Sequence, residues 1–165
     1  MEINDKQWTR IRKIFQDAFK SSFHFSIATV NKDGSPHVTP IGSLMLLEDR
    51  KGFYFEEYVS NLSRNLQHNK RVCVMAVNSG KWALIKSFFL GKFIAPPGVR
   101  LIGTAGERRE ATPREMELFR KRVKNYRMFK GYDLLWSKLR YVREIHFDAY
   151  EPIRIGALTR HVWDD

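Results

Sequence analysis

The chain has 165 residues, of which 43% are hydrophobic and 28% are charged. This apolar content excludes an intrinsically disordered chain, and the length predicts a single domain over residues 1–165. Its 29 lysines and arginines outnumber 18 acidic residues, and the net charge of +11 favours anionic partners without choosing among phosphate-bearing ligands, nucleic acid and anionic lipid.

Targeting signals are absent from the sequence pattern. Residues 1–10 mix charged and polar side chains, and no later apolar run approaches the length of a membrane span. Cys73 is the one cysteine, so no internal disulfide can form. Because Cys73 falls in a predicted strand, we expect a buried, inert thiol with a raised pKa. We therefore expect a cytoplasmic protein that does not bind a membrane.

An amphipathic helix is predicted within residues 1–20. Apolar residues recur there at spacings of three and four, which places them on one helical face. They are Trp8, Ile11, Ile14, Phe15, Ala18 and Phe19.

Three strands are predicted next, over residues 23–30, 37–46 and 53–55. Asp33 and Gly34 lie between the first two, where Asp-Gly supplies the positive φ that a tight hairpin needs. Their order along the chain suggests an antiparallel meander.

A short helix over 61–69 is predicted to follow, with Ser60 and Asn61 as candidate N-caps. The apolar run over 72–77 then predicts a fully buried central strand.

The second half begins with a helical insertion over 80–97, which ends at the two adjacent prolines. A strand from residue 99 is expected to contain Gly103 and Gly106 at bulges or close approaches. Thr112 begins a capping box that opens a helical segment over 112–140, including a second helical piece from residue 133.

Alternating residues over 141–150 predict a final strand. Antiparallel strands interrupted by helices together predict an α+β domain built on a small barrel.

The segment most informative about function lies between the third strand and the following helix. It places hydroxyls, amides and Arg64 at a helix N-terminus, where backbone N–H groups and a guanidinium can bind one phosphate. The alternative is that Ser60 only caps the helix and Arg64 is solvated.

These motifs, taken in order, resemble the pyridoxamine 5′-phosphate oxidase-like FMN-binding split-barrel proteins. The resemblance rests on the hairpin over 33–37, on Thr39-Pro40-Ile41-Gly42, on the aromatic strand over 53–55, on Ser-x-x-Ser-Arg-Asn-Leu over 60–66 and on Asn-x-x-Val over 69–72. It implies an antiparallel split β-barrel of six or more strands.

The resemblance also implies a homodimer that holds FMN between its two copies. Thr39, Pro40, Ile41 and Gly42 would run beside the isoalloxazine ring, and Arg64 would be the main ligand of the phosphate. The other implied phosphate neighbours are Glu57, Tyr58, Ser60, Ser63 and Asn65.

Two positions depart from the family pattern. Leu62 stands where many relatives have a lysine or arginine, and Lys70 stands where they have proline. One phosphate-binding charge is therefore missing, and Lys86 is a candidate substitute. Trp82, in the insertion, is a candidate for stacking on the flavin, although a core role is the commoner use of such a residue.

The sequence leaves three functions open. The first is an FMN-dependent oxidoreductase acting on an unidentified small molecule, and the second is a non-enzymatic flavin or haem binding module. The third is nucleic-acid binding by the basic residues between 108 and 143, for which a solvated helix face is the favoured alternative. The five histidines show no metalloprotease spacing, so we expect no metal site.

Overall fold

The computed structural model describes residues 1–126 and 138–163, without the side chains of residues 81–83 and 126. The second helical piece that the sequence predicts from residue 133 lies largely outside this part.

Helix α1 (Asp5–Ser22) confirms the predicted amphipathic helix. Asn4 and Gln7 form a capping box at its start, and Phe23 ends it in the left-handed conformation with φ of 61°. The apolar face covers the sheet, where the ring of Trp8 lies 5.9 Å from that of Phe147. Burial of this face holds the helix on the barrel, because propensity alone gives little stability to a helix of this length.

Seven strands form one antiparallel sheet, which confirms the α+β class and the split-barrel architecture. Along the sheet the order is β2-β1-β5-β6-β7-β4-β3. The strands are β1 (Phe25–Val30), β2 (Pro36–Ile41), β3 (Met45–Leu46), β4 (Lys51–Phe55), β5 (Arg71–Val77), β6 (Gly98–Glu110) and β7 (Tyr141–Pro152).

The predicted meander is wrong. Strands β1 and β2 form the expected hairpin, with Gly34 at φ of 86°, but β4 pairs with β3 and β7. The second predicted strand is in fact two strands at opposite ends of the sheet, because the chain leaves β2 after Ile41 and resumes at Met45.

The gap of the split barrel lies between β2 and β3. The Ser43 hydroxyl spans it, accepting a hydrogen bond from the backbone N–H of Phe55 at 3.0 Å. The end of β2 is therefore held next to the end of β4, and the two parts of the predicted site lie on the same side of the barrel.

Strand β5 is inside the sheet, between β1 and β6, but only one of its faces is buried. Val72, Val74 and Ala76 face the core, whereas the residues between them are partly exposed. The prediction of full burial fails because, within residues 1–126 and 138–163, no element covers the second face.

Strands β6 and β7 form the longest ladder of the sheet. Its register shifts between Ile102 and Gly103 and again between Ala105 and Arg108, which confirms the predicted irregularities near Gly103 and Gly106. A Cβ atom on Gly103 would lie 2.3 Å from the carbonyl oxygen of His146, so only glycine fits there.

The remaining helices are α2 (Ser60–His68), α3 (Lys81–Leu90) and α4 (Pro113–Val123). Helix α4 begins with the predicted capping box of Thr112 and Glu115. The predicted N-caps of α2 are wrong, because Val59 is the N-cap and Ser60 is already the first helical residue. Within the described residues, no helix is both long and apolar enough to cross a bilayer.

Candidate functional site

A pocket of about 510 Å³ opens where β4 leads into α2. Its walls come from the end of β4, the first turns of α2, the middle of β6 and the start of β7. The lining residues are Glu56, Glu57, Tyr58, Val59, Ser60, Ser63, Leu66, Gln67, Glu107, Arg108 and Arg143.

A buried ion pair forms one wall of this pocket. The Nε and Nη2 atoms of Arg143 donate to the two carboxylate oxygens of Glu56, each at 2.8 Å, and Nη1 donates to the carbonyl of Gly106. The Tyr54 hydroxyl donates to the same carboxylate at 3.0 Å. This network fixes β4, β6 and β7 to one another at the pocket.

Burial is the largest single influence on the pKa values of Arg143 and Tyr54. It opposes the charge of Arg143, but the hydrogen bonds and the charge of Glu56 outweigh it, so the pKa of Arg143 is raised. Burial, together with the negative charge of Glu56, raises the pKa of Tyr54 well above its ordinary value. Tyr54 therefore stays a neutral donor at any physiological pH.

Arg108 is the cation in this pocket that is least committed to a protein partner. Its Nε lies 3.8 Å from a Glu56 oxygen that already binds Arg143, and its guanidinium stacks 3.8 Å over the ring centre of Tyr141. The Arg108 side chain is 43% exposed, so it can reach a ligand in the pocket.

The other two acids of the pocket have structural partners. The Glu57 carboxylate accepts the backbone N–H groups of Arg140 and Tyr141, both at 2.7 Å. Glu107 forms an ion pair with Lys70. Neither carboxylate is a free base facing the pocket.

The N-terminus of α2 contributes backbone donors. No side chain caps it, and the hydroxyls of Ser60 and Ser63 lie in the pocket wall. The first N–H groups of a helix lack intrahelical partners and carry partial positive charge, so this end suits an anionic group.

The structure brings four of the predicted phosphate neighbours together in this pocket, namely Glu57, Tyr58, Ser60 and Ser63. Arg64 is exposed on α2 and does not line the pocket. Asn65 points into the fold instead, where its amide donates to Thr29 at 3.1 Å and to Asn31 at 2.8 Å.

The Leu62 side chain, at the position where relatives have a cation, is fully buried. It is part of the main core, together with Leu66 and Val72. A charge at this position would be buried without a partner, so Leu62 packs α2 against the core and offers no charge to an anion.

Three of the predicted ring-binding residues, Thr39, Pro40 and Ile41, lie on β2, an edge strand of the sheet, and Gly42 directly follows it. Pro40 is exposed and Ile41 is buried, while a Cβ on Gly42 would lie 3.2 Å from the carbonyl oxygen of Phe23. The Oγ1 atom of Thr39 is buried and, among the described residues, is the one such side-chain atom without a hydrogen-bond partner.

Two predicted residues belong to α3. Lys86 is exposed and does not line the pocket, and the side chain of Trp82 lies outside the described part of the structure. The exposed apolar residues of α3 are Leu84, Ile85, Phe88, Phe89 and Leu90.

Sequence reasoning missed the paired residues Glu56 and Arg143 and the cation Arg108. Arg143 stands beside apolar residues at buried positions of β7, which is a signal that a charged residue has a buried partner. The identity of that partner depends on the pairing of β4 with β7, which the predicted meander did not contain.

The structure gives little support to a metal site or to a nucleic-acid surface. No group of three or more potential metal ligands occurs in the residues that the structure describes. Several basic residues from 108 to 143 have acidic partners: Arg109 binds Glu115 and Arg140 binds Glu110. The predicted nucleic-acid surface therefore has fewer free charges than the sequence suggests. Arg127 and Lys130 lie outside the described residues.

The antiparallel split barrel, with the uncapped N-terminus of α2 at a pocket between β4, β6 and β7, places the chain in the class of split-barrel proteins. Residues 11–146 match the pyridoxamine 5′-phosphate oxidase family. The chain belongs to this family. No curated protein matches it by sequence.

Solved structures share the fold at low sequence identity. An FMN-binding protein from Syntrophomonas wolfei has a TM-score of 0.60 and 13% identity, covering 92% of this chain and 89% of its own. HupZ from Group A Streptococcus has a TM-score of 0.58 and 19% identity, covering 91% and 96%. HutZ, the heme storage protein from Vibrio cholerae, has a TM-score of 0.54 and 14% identity, covering 87% and 94%.

Proposed function

We propose that this protein is a cytoplasmic, homodimeric flavoprotein that binds FMN and oxidises or reduces a small molecule. Membership of the family and the likeness to an FMN-binding protein support this proposal. The observation that carries it is the uncapped α2 N-terminus at a 510 Å³ pocket, together with the unpartnered Oγ1 of Thr39 on the edge strand β2.

The residues on both sides of the barrel gap fit the two ends of FMN. The phosphate would be bound by the first N–H groups of α2, the hydroxyls of Ser60 and Ser63, and the guanidinium of Arg108. The buried Oγ1 of Thr39 would bind a polar edge of the ring, since a buried hydroxyl without a partner costs free energy.

Bound flavin would supply the redox chemistry, and the chain's own residues would bind and orient it. Glu56 and Arg143 neutralise each other, so their role is to hold the three strands around the pocket in place. No carboxylate or histidine among the described lining residues is placed as a free base, which favours redox chemistry centred on the flavin.

The second copy would cover the apolar surface of α3 and the open edge of β2. Phe88 and Phe89 are 69% and 89% exposed, which is unusual for phenylalanines of a monomer. The exposed edge of β2 carries Val38, which is also apolar. Covering these surfaces would enclose the flavin between two copies.

The visible spectrum of the purified protein tests the cofactor. We expect absorption near ~450 nm from oxidised flavin, retained through gel filtration at the mass of a dimer. A colourless monomer that does not bind added FMN would contradict the proposal.

Two arginine variants test the placement of the phosphate. Arg108→Ala should weaken FMN binding by about 1.5–3 kcal/mol, the usual value of a hydrogen bond to a charged group. Arg64→Ala is the matched control, because the sequence alone predicts Arg64 as the main phosphate ligand. It should have the smaller effect, since Arg64 does not line the pocket. The reverse order would show that the phosphate lies elsewhere.

Haem is the second candidate. The burial of Leu62 removes the cation that relatives offer to a phosphate, and one protein of the same fold is a heme storage protein. An intense Soret band in place of the flavin spectrum would identify this alternative.

A further inference from the structure

A second pocket, of about 470 Å³, lies between α1, the β3–β4 region and α4. It shares no lining residue with the pocket at α2. Its inner wall is apolar and its rim is charged. The lining residues are Arg12, Phe15, Gln16, Phe25, Leu44, Met45, Leu46, Leu47, Glu48, Asp49, Thr112, Arg114, Glu115, Leu118 and Arg122.

Arg122 is the unusual residue of this pocket. It projects from the last turn of α4, donates to the carbonyl of Leu44 and stacks 4.6 Å above the ring centre of Phe19. No carboxylate in the described part of the chain forms an ion pair with it. Burial lowers the pKa of Arg122 to about 10, so it remains a cation at neutral pH.

The acids on the rim do not balance this charge, because each has another cation closer to it. Glu115 is bound by Arg109 at 2.6 Å, inside the α4 capping box. The exposed rim acids have looser partners, with distances of 3.9 Å for Arg12–Glu48 and 3.6 Å for Lys51–Asp49.

A partly buried guanidinium that has only a carbonyl and an aromatic face as neighbours retains donors for an anion. Taking a cation out of water is costly unless an opposite charge replaces the lost solvation. The apolar wall of Met45, Leu46 and Leu118, all partly exposed, would contact an uncharged body attached to that anion. The volume lies within the range of small-molecule sites.

We propose that this pocket binds a small organic carboxylate, with its carboxylate on Arg122 and its apolar body against Met45, Leu46 and Leu118. Arg114, exposed on the rim without an ion pair among the described residues, would attract the anion to the entrance. The site is independent of the proposed flavin site and would be occupied whether or not flavin is bound.

Calorimetric titration with 2-naphthoate tests this site, with the neutral 2-naphthylmethanol as a probe of matched size. We expect one 2-naphthoate per chain and at least tenfold weaker binding of the alcohol. Absence of 2-naphthoate binding, or equal affinity for the two probes, would overturn the proposal. Any flavin spectrum is recorded in parallel, so the two proposals fail separately.

Three variants locate the bound probe. Arg122→Met keeps the aliphatic part of the side chain without the guanidinium and should weaken 2-naphthoate binding at least tenfold, whereas Arg120→Met, on the exposed face of the same helix, should leave it unchanged. Leu118→Trp should block the pocket by filling it, and it keeps the test valid if Arg122→Met does not fold. Unchanged binding in a folded Arg122→Met or Leu118→Trp protein would refute the assignment.

Discussion

Glu56 and Arg143 lie 87 residues apart and form a two-bonded ion pair at the wall of the α2 pocket, with side chains that are 1% and 5% exposed. The two residues are far apart in the sequence, and the strands that hold them are not consecutive along the chain. The pair exists because β4 and β7 are neighbours in the sheet.

Removing one partner of this pair should be strongly destabilising. Glu56→Gln leaves Arg143 buried without a counter-charge, and we expect a loss of about 3 kcal/mol in the free energy of unfolding, measured in urea. The double variant Glu56→Gln with Arg143→Met should be more stable than the sum of the single effects predicts. Strict additivity would show that the two charges do not interact.

Asn65 and Arg64 are adjacent on α2 but should differ in their effect on stability. Asn65→Ala removes the hydrogen bonds that connect α2 to Thr29 and Asn31, and we expect a loss of about 1–3 kcal/mol. Arg64→Ala, at an exposed position, should change stability by less than ~0.5 kcal/mol. Thermal and urea unfolding of both variants would decide, and equal losses would contradict the role given to Asn65.

Glu115 gives the fold an acid-sensitive contact. Burial opposes its charge, but the bonds from Arg109 and Thr112 outweigh burial and lower its pKa below the ordinary 4.5. The contribution of charged Glu115 to the free energy of unfolding is complete above pH 4.5. It is lost as the pH falls through the lowered pKa that Glu115 has in the folded protein. Glu115→Gln should therefore cost about 1–2 kcal/mol at pH 7 and progressively less in acid. A constant difference from pH 7 to pH 3 would contradict this account.

Two glycines of β6, Gly103 and Gly106, test whether the first irregularity of the β6–β7 ladder requires glycine. Gly103→Ala would place its Cβ 2.3 Å from the carbonyl oxygen of His146, whereas on Gly106 the nearest atom is at 3.6 Å. We expect Gly103→Ala to cost about 1–3 kcal/mol through overpacking and Gly106→Ala to cost much less. Unfolding curves of the two variants with similar midpoints would show that the ladder can shift.

Cys73 should react slowly with alkylating reagents. The expected full burial of Cys73 is wrong, because it lies on the half-exposed face of β5, but partial burial still raises the pKa of its thiol, and only the thiolate is nucleophilic. At pH 8 we expect iodoacetamide to modify the folded protein several-fold more slowly than the urea-unfolded chain, as followed by mass spectrometry. Equal rates would mean that the thiol is as accessible and as acidic as in the unfolded chain.

Local signals in the sequence were sufficient for most elements. The spacing of apolar residues gave α1, the Asp33-Gly34 pair gave the first hairpin, and Thr112 with Glu115 gave the start of α4. These features arise from residues within a few positions of each other, so their physics can be read without knowledge of the fold.

Some residues of the candidate site could be predicted from local sequence, whereas others depend on the tertiary structure. Ser60 and Ser63 could be placed near a helix start from the sequence, and the structure puts them in the pocket wall. Whether Arg64, Asn65 or Leu62 faces the pocket depends on how α2 is rotated against the sheet. That rotation is set by the burial of Leu62 and Leu66 in the main core; their i, i+4 spacing indicates an apolar face but not which strands that face packs against.

The sequence by itself determined most of the elements, the first hairpin, the capping box of α4 and the split-barrel class, because neighbouring residues and ordered motifs carry that information. Only the tertiary structure decided that β4 pairs with β7, that Glu56 meets Arg143, and that Arg108 rather than Arg64 lines the pocket. These are contacts between distant residues, and their formation depends on packing of the whole sheet rather than on any local preference.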